Sequence, residues 1–306
     1  MAKISQKALK VPSKNDFFPL NLVRLLYPEG SSEMVCSVII PSMKGREELL
    51  KKLLSTIPKK YEVIVVDDDN LLLAAKRNKG AKQAHGEYLF FVDDDNYLAH
   101  GAIEAALDVF EKSRIGVVGF MACYDDKKDY VADGGSKRNY LTGFTSGINT
   151  NAYWHSLHKQ AYEVDEIANA FMMHRETFFE QYGFDELNFP IDLDEADLCK
   201  RIKDKGLKVM MNPMSLCYHK SQTYSHIPDF RRPMNAYFMG RNRQLYQRKH
   251  LTAVPYCVYL LLFLPLFIGF YTASLVWRRK FQLITPFIKG VLDGLSGRRE
   301  NPYQKR

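Results

Sequence analysis

Two triplets of acidic side chains are the first residues in this sequence that could do chemistry. Asp67 to Asp69 follow one apolar run, and Asp93 to Asp95 follow another. Crowded carboxylates repel one another, so such a triplet normally needs a cation or hydrogen-bond donors to stay ionised. Oxygen ligands suit Mg²⁺ or Mn²⁺, and these ions neutralise the diphosphate of a leaving group. One triplet alone could be a solvated turn, whereas two that follow strands of one sheet predict a divalent-metal site.

A further acidic group lies in the second half of the chain. The stretch from Asp194 to Lys203 has helical spacing, which places Asp194, Asp197 and Arg201 on neighbouring turns with Glu195 beside them. A helix dipole favours acids at the N-terminus, and this accounts for one or two of them but not for the whole group. The group is therefore a second candidate for chemistry.

The elements that must position these acids alternate between strands and helices. Apolar or β-branched runs alternate with stretches of helical spacing, and these are Val35 to Ile40, Arg46 to Ile57, Tyr61 to Val66, Leu73 to Ala84, Tyr88 to Val92, Ile103 to Lys112 and Ile115 to Phe120. This pattern predicts a mostly parallel α/β sheet, with ligands at the carboxyl ends of its strands. Both Asp triplets should leave that sheet at the same edge. The polar, glycine-rich residues 121–165 are expected to be connecting structure that faces a substrate.

Charge is divided unevenly along the 306 residues. Residues 35–220 hold 24 Lys or Arg against 29 Asp or Glu, a net charge of −5, whereas residues 231–306 hold 14 against 2, a net charge of +12. The basic residues flank apolar sequence, which fits anionic lipid headgroups better than nucleic acid, and no DNA-binding motif is present. The five cysteines lack paired metal-ligand spacing and predict a reducing compartment.

The run from Val254 to Trp277 contains no charge and is long enough to enter a bilayer. A buried helix of a soluble protein is less consistent with a run this uniformly apolar. Basic residues on both sides and Pro265 near its centre leave two membrane arrangements open, a transmembrane helix or a re-entrant hairpin. Phe281 to Leu295 is predicted to be an interfacial amphipathic helix with Lys289 and Asp293 on its polar side.

The ordered motifs resemble glycosyltransferase family 2, whose members bind nucleotide sugars on the GT-A fold. The resemblance covers roughly residues 35–250 and rests on Cys36 to Ser42, Glu62 to Asp68, Arg77 to Gly80, Gly86 to Asp95, Gly183 to Glu186, Asp194 to Arg201, Gly206 and His219. It implies an α/β GT-A nucleotide-diphospho-sugar transferase fold, a mostly parallel sheet flanked by helices, followed here by a C-terminal membrane-associated helical region.

The resemblance also implies roles for individual residues. Asp95 would hold the metal, Mg²⁺ or Mn²⁺, with Asp93 and His219 as further metal candidates, and Asp93 or Asp94 would lie on the ribose side of the donor. The expected donor-binding residues are Pro41, Ser42, Asp67, Arg77, Asp93, Asp94, Arg241 and Arg243. The two arginines of Arg241-Asn-Arg243 could bind donor phosphate or lipid headgroups. His219 could be a packing histidine or could approach the diphosphate or the metal.

At the general base the chain departs from the family pattern, because the family usually has Glu-Asp where this chain has Asp194-Glu195. Glu195 aligns with the usual base and is favoured, with Asp194 as the alternative. The base would deprotonate an acceptor hydroxyl as it attacks the anomeric carbon and inverts it.

The resemblance and the apolar run together predict an enzyme that transfers a sugar from a nucleotide-sugar donor to a membrane-bound, lipid-linked or other glycan acceptor. A single sugar is expected per acceptor, because the Gln-x-x-Arg-Trp signature of processive synthases is absent. Alternatives are a polyprenyl-phosphate glycosyltransferase and a non-catalytic membrane-anchored sugar-nucleotide-binding protein.

The N-terminus lacks an apolar leader, so the catalytic domain is expected on the cytoplasmic side of the cell membrane. The predicted segments are an arm at 1–34, a catalytic domain at 35–230, a basic juxtamembrane linker at 231–253, the membrane segment at 254–277 and a basic tail at 278–306.

Overall fold

The computed structural model describes residues 35–112, 114–220, 233–299 and 302–303. The predicted arm at residues 1–34 lies outside the described residues. The strands are β1 Cys36–Pro41, β2 Glu62–Val66, β3 Tyr88–Val92, β4 Asn96–Leu98, β5 Ile115–Tyr124, β6 Val131–Asp133, β7 Ser136–Arg138, β8 Thr145–Gly147, β9 Tyr162–Glu163, β10 Ala170–His174 and β11 Lys208–His219. The α-helices are α1 Glu47–Leu54, α2 Leu73–Gln83, α3 Ala102–Phe110, α4 Arg175–Glu180, α5 Asp194–Asp204, α6 Pro233–His250, α7 Ala253–Val258, α8 Leu264–Trp277 and α9 Ile284–Leu295.

A central sheet orders its strands β2-β1-β3-β10-β5-β11-β4, with β6 paired to β5 and β9 to β11. Strands β2, β1 and β3 are parallel, and β11 is parallel to β5. The sheet is mixed rather than mostly parallel because β10 inserts antiparallel between β3 and β5. Since β2 and β3 run alongside β1 in the same direction, the two Asp triplets do leave the sheet at the same edge, as predicted.

The sheet has an apolar layer on each face because its central strands are buried on both sides. Successive residues of β1 show the alternation: Ile39 packs into one hydrophobic cluster, and Val38 and Ile40 pack into the other. Helices α2 and α5 contribute to the first layer, and α1 and α3 contribute to the second. The predicted strands and helices are therefore confirmed, with ends that differ by a few residues. Strand β5 runs four residues further, to Tyr124, because it continues to pair with β11 and β6.

The predicted membrane segment is helical throughout, from Ala253 to Trp277. Its middle, Tyr259–Phe263, is one stretch of π-helix between α7 and α8. Pro265 lies at the start of α8, and its lack of an N–H and its ring both disturb the α-helical ladder just before it. The proline therefore widens a helix turn and does not produce a hairpin within the segment.

The region after residue 231 is more closely packed than the sequence predicts. The predicted linker is helix α6, and most of its side chains from Ala236 to Gln247 are buried. Helix α9 packs directly against α6, and Asp293 is only 8% exposed and accepts a hydrogen bond from Tyr237 Oη at 2.9 Å. Asp293 therefore does not lie on a solvent-facing side of α9 with Lys289, because its carboxylate has a partner inside the protein.

Glycines set the separation of α6 and α9. A Cβ atom on Gly290 would lie 2.0 Å from the Tyr237 carbonyl oxygen, and one on Gly294 would lie 2.5 Å from the Arg241 carbonyl oxygen. From the opposite side, a Cβ on Gly240 would lie 2.4 Å from the Phe287 carbonyl oxygen. Small residues four apart allow two helix backbones to approach this closely.

This contact predicts that Gly290→Ala will push α9 away from α6. We expect the free energy of unfolding to fall by about 1–3 kcal/mol, the usual cost of an overpacked contact. The measurement is denaturant unfolding of the full chain in detergent. Gly269→Ala is the matched control, because no atom lies within 4 Å of its added Cβ. Equal behaviour of the two variants would contradict the close-packing account.

Candidate active site

One buried cation joins three acidic side chains at the carboxyl edge of the sheet. Arg77 of α2 is fully buried and donates to Asp93 Oδ1 at 2.8 Å, Asp194 Oδ2 at 2.8 Å and Glu195 Oε1 at 2.6 Å. Burial disfavours its charge, but the three carboxylates outweigh that effect and raise the pKa of Arg77. The sequence predicts Arg77 as a donor-binding residue, whereas the structure places it beneath the site as the counter-charge of the acids.

The Asp194-Glu195 pair is divided by exposure. The Asp194 side chain is fully buried and its Oδ1 atom has no hydrogen-bond partner, while the Glu195 side chain is 14% exposed. Burial, reinforced by the charge of Glu195, raises the pKa of Asp194 well above its usual value. Burial acts against ionisation of Glu195 too, but Arg77 and a hydrogen bond with Asp194 lower its pKa. Of the two acids, Glu195 is the ionised one that reaches the surface.

The three acids that follow β3 have three different environments. Asp93 is partly exposed beside Arg77; burial, the main influence, and the neighbouring Asp95 and Glu195 raise its pKa to about 6. Asp94 is 1% exposed, and both its oxygens are occupied: Oδ1 by Arg46, and Oδ2 by Ser42 Oγ and the Met43 N–H. Asp94 therefore holds the loop after β1 and is not free to bind a donor, contrary to expectation.

Arg46 is a site residue that the sequence reasoning missed. It lies just before α1, is 37% exposed on its side chain and reaches both Asp94 at 2.6 Å and Asp95 at 3.1 Å. The signal for it was weak, because a single arginine in the loop after a strand is common. Its position leaves part of the guanidinium open at the same edge as the acids.

Asp95 and His219 form the part of the site that could hold a metal ion. Asp95 Oδ1 lies 3.5 Å from His219 Nε2, and the side chains are 19% and 24% exposed. They meet because β11 ends at His219 and pairs with β4, which begins directly after the acidic triplet. Burial disfavours the imidazolium, but the hydrogen bond and charge of Asp95 outweigh it and raise the pKa of His219.

The donor set fits a cation that shares its ligands with a substrate. Among the described residues, no three His, Cys, Asp or Glu side chains are arranged to hold an ion by themselves. One carboxylate and one imidazole nevertheless suit a divalent ion, because Mg²⁺ is commonly bound by one or two protein groups plus phosphate oxygens and water. Asp133 lies close enough to His219 and Glu195 to affect their charges, and burial raises its pKa.

Pro41, Ser42 and Asp67 lie where the first two strands end. Ser42 is buried, its N–H donates to the Val66 carbonyl at 2.9 Å and its own carbonyl accepts from the buried Lys76 ammonium. Pro41 is buried at the end of β1, and Asp67 is exposed after β2. Pro41 and Ser42 therefore lie on or directly after the strand next to β3, and Asp67 follows the strand beyond it.

The Arg241-Asn242-Arg243 element supports loops and does not face the acidic cluster. Arg241 is fully buried and donates to the carbonyls of Leu187, Arg298 and Arg299. Arg243 is 9% exposed and donates to the Thr142 carbonyl at 2.9 Å. Arg241 is thus engaged by three carbonyl groups and Arg243 by one. Their roles in binding donor phosphate or lipid headgroups stay predictions.

Asn242, between them, is the residue whose role the sequence did not reveal. Its Nδ2 donates to the carbonyls of Ile191 at 2.7 Å and Asp192 at 2.9 Å. Asp192 and Leu193 both have positive φ, 68° and 65°, which is unusual for residues with a Cβ. This strained turn leads directly into α5, so Asn242 holds the turn that presents Asp194 and Glu195.

Asp197 fixes the first turn of α5 against the end of α6. It is fully buried and lies 2.9 Å from Arg201 Nε, 2.7 Å from Lys249 Nζ and 2.8 Å from His250 Nε2. Burial opposes its charge, but these partners outweigh that and lower its pKa to about 2. A carboxyl with a depressed folded-state pKa stabilises the fold above its unfolded value near 4 and loses that contribution as the pH falls towards 2. The pairing therefore persists throughout the neutral range.

The buried charge predicts a pH-dependent defect in Arg77→Met. Removing the cation leaves three adjacent carboxylates uncompensated, so we expect a loss of about 3–5 kcal/mol in the free energy of unfolding at pH 8. Without Arg77 the acids titrate at higher pH, so protonation at pH 5 should relieve the repulsion and reduce the loss. Urea unfolding at both pH values measures this. Arg46→Met, whose side chain is more than a third exposed, should show a smaller loss, and a pH-independent defect in Arg77→Met would contradict the account.

Residues 69–161 match the family model of glycosyl transferase family 2, a range that includes Asp93 to Asp95. Two solved structures share the fold. GalNAc-T7 with UDP, GalNAc and Mn²⁺ has a TM-score of 0.52 at 14% identity, over 71% of this chain and 50% of that one. TarS 1–349 of S. aureus in complex with UDP-GlcNAc has a TM-score of 0.51 at 14% identity, over 86% of this chain and 82% of that one.

The present chain spans half the length of the first of these structures, and at 14% identity the similarity concerns the fold. No curated protein sequence matches the chain. The family match and the fold agree with each other and with the motifs at the carboxyl edge of the sheet. The chain therefore has the GT-A fold, and residues 69–161 of it match glycosyl transferase family 2.

Proposed function

We propose that the chain is a metal-dependent inverting glycosyltransferase that moves one sugar from a nucleotide-sugar donor to a membrane-bound, lipid-linked saccharide. The observation that carries the proposal is the charge pattern around Arg77. One acid of the Asp194-Glu195 pair is buried with a raised pKa, and the other is ionised and partly exposed. A base must be ionised and must reach its substrate, and Glu195 meets both conditions.

The donor would lie along the carboxyl edge of the sheet. Its base and ribose would face the ends of β1 and β2, near Ser42 and Asp67, and Asp93 would lie beside the ribose. The diphosphate would lie near Asp95 and His219, where the partly exposed guanidinium of Arg46 adds positive charge. GalNAc-T7 and TarS were solved with UDP or a UDP-sugar, which supports a nucleotide diphosphate as the leaving group here.

Asp95 and His219 would hold the divalent metal, Mg²⁺ or Mn²⁺. Mn²⁺ in the GalNAc-T7 structure supports this choice of ion. When bound, the metal would neutralise charge that develops on the departing diphosphate. Glu195 would accept the proton of the acceptor hydroxyl from the other side of the sugar, and Arg77 would keep Glu195 ionised until it does so.

The acceptor is proposed to be membrane-bound because the helix from Ala253 to Trp277 is long and apolar enough to enter a bilayer and is mostly not buried by the protein. Its basic flanks favour the cytoplasmic face of a membrane, so the catalytic domain would work on that side. The free cysteines, four of them buried, fit a reducing compartment.

The base assignment is tested by Glu195→Gln. We expect kcat to fall by a factor of about 10²–10⁴, the range for loss of a general base, while donor binding stays nearly unchanged. Asp194→Asn is the comparison variant and should lower kcat less, because the fully buried Asp194 side chain does not reach the surface where the acceptor hydroxyl would lie. Single-turnover assays with donor and acceptor extract measure both. A larger loss in Asp194→Asn than in Glu195→Gln would move the role of base to Asp194.

The donor and metal assignment is tested by Asp95→Ala. Thermal stabilisation and nucleotide release are measured with UDP-, GDP- and dTDP-sugars in the presence of Mn²⁺ or Mg²⁺. We expect one donor to stabilise the native protein only with metal, and this effect to vanish in Asp95→Ala. Asp69→Ala, from the other acidic triplet, is the control and should behave as the native protein does. Metal-independent donor binding that survives Asp95→Ala would contradict the proposal.

A further inference from the structure

The apolar helix from Ala253 to Trp277 has two faces of different character. One face is packed: Tyr259, Leu264, Phe267, Tyr271 and Leu275 are buried against α6 and α9. The other face is exposed along the whole length of the helix and has no charged side chain. Its members recur every three or four residues and are Ala253, Val254, Cys257, Leu261, Leu262, Pro265, Leu266, Gly269, Phe270, Ala273, Val276 and Trp277.

The exposed stripe is too long to be an ordinary surface feature. At about 1.5 Å per residue, a helix of 25 residues is roughly 38 Å long. Leu261 is 76% exposed, Leu266 63% and Trp277 89%. A continuous apolar surface of this length marks a site that another apolar phase covers.

The packed face ties the helix to the catalytic unit. The Arg243 guanidinium lies between two rings, 4.2 Å from the centre of Phe267 in α8 and 4.7 Å from the centre of Phe144, next to strand β8. Tyr259 Oη donates to Gln244 Oε1 of α6 at 2.9 Å. Contacts to α6 and α9 run from Tyr259 to Leu275, so the helix is attached along most of its length.

This attachment argues against a helix that crosses the bilayer. A crossing helix is surrounded by lipid or by other apolar helices over about 20 residues. Here a crossing would draw α6 into the hydrocarbon, and α6 carries four consecutive buried polar side chains, Arg241, Asn242, Arg243 and Gln244. Charged and amide groups at that depth are costly.

The charges at the two ends lead to the same conclusion. Arg248 precedes the helix, beside Lys249, which pairs with Asp185 and Asp197 within the protein, and Arg278, Arg279 and Lys280 follow it. A crossing helix would place one of these basic groups on the far side of the membrane, against the usual asymmetry. A helix that lies flat places both groups at the level of the headgroups in one leaflet, where anionic lipids attract them.

We propose that residues 253–277 lie in the plane of the membrane, with the exposed stripe sunk into one leaflet and both basic ends bound to anionic headgroups. This deepens the membrane part of the proposed function. It replaces the transmembrane and re-entrant arrangements with a third one, in which the catalytic unit rests on the bilayer. Binding and depth can be measured without sugar transfer, so failure of this inference is separable from failure of the transferase proposal.

Depth is tested with a fluorophore at the centre of the stripe. Leu266→Cys is made with Cys257→Ser, because Cys257 is exposed and the other four cysteines, all within the described residues, are buried. The labelled full chain is added to vesicles of equal parts phosphatidylcholine and phosphatidylglycerol that carry bromine either near the headgroup or near the chain end. We expect stronger quenching by the shallow bromine, because interfacial helices lie about 5–10 Å deep. Stronger quenching by the deep bromine would mean a crossing helix and would overturn the proposal.

The matched control for the label is Leu187→Cys in the same background, since Leu187 is 64% exposed on the catalytic unit and should not be quenched. The emission of the label at position 266 could already be that of an apolar environment without vesicles and stay unchanged when vesicles are added. This result would mean that protein covers the stripe. The cover could be a second copy or residues 1–34, and either outcome would overturn the proposal.

A second variant pair tests binding itself. Leu266→Glu should reduce the partition of the full chain onto these vesicles at least tenfold, and Leu187→Glu should leave it unchanged. Thermal unfolding confirms that both variants are folded, as expected for substitutions at exposed positions. Binding should also weaken on vesicles of phosphatidylcholine alone, because the basic ends lose their anionic partners. Unchanged binding of Leu266→Glu would show that the stripe does not enter the leaflet.

Discussion

The site depends on one buried charge, the guanidinium of Arg77. It joins the middle of α2 to the end of β3, 16 residues further along the chain, and to the first turn of α5, more than a hundred residues away. The three carboxylates offset the cost of burying the charge of Arg77, and they can share a small space because the guanidinium is there. The local protonation pattern follows: Asp194, without access to water, binds a proton more readily, while Glu195 stays ionised.

The triplet Asp93-Asp94-Asp95 shows how three identical residues acquire three roles. They leave the sheet one after another, so their side chains point in different directions. Asp93 meets the buried Arg77, Asp94 holds the loop after β1, and Asp95 faces His219 on the other side. Asp94 and Asp95 share Arg46 as a partner. Asp95 and His219 lie side by side and partly exposed, where a shared cation could bind.

Helix α6 links this site to the proposed membrane surface. Through Asn242 it holds the strained turn before α5, and through Arg243 it holds the loop at Thr142 and the ring of Phe267 in the apolar helix. Glycine contacts then bring α9 against its other side. The turn that presents Glu195 and the helix proposed to lie in the bilayer thus share one rigid support, which would hold the base at a fixed height above the membrane and suit an acceptor carried by a lipid.

The sequence by itself determined which elements form and where the acids fall. Apolar alternation located β1, β2, β3, α2 and α5, and parallel pairing required Asp67 and Asp93 to leave the sheet at one edge. Family motifs supplied the GT-A fold before any contact was known. These features could be predicted because they depend on local periodicity and on the order of motifs along the chain.

Only the tertiary structure decided what each side chain faces. Arg77 and Asp94 look like ligand-binding residues in sequence but are buried among partners distant along the chain. Arg241 and Arg243 are committed to carbonyl groups, and Asn242, which drew no attention, supports the turn before the base. The apolar run from Val254 to Trp277 looks uniform in sequence, yet packing against α6 and α9 gives it one covered and one exposed face. Burial and pairing arise from contacts between distant segments, so residue type and spacing alone could not specify them.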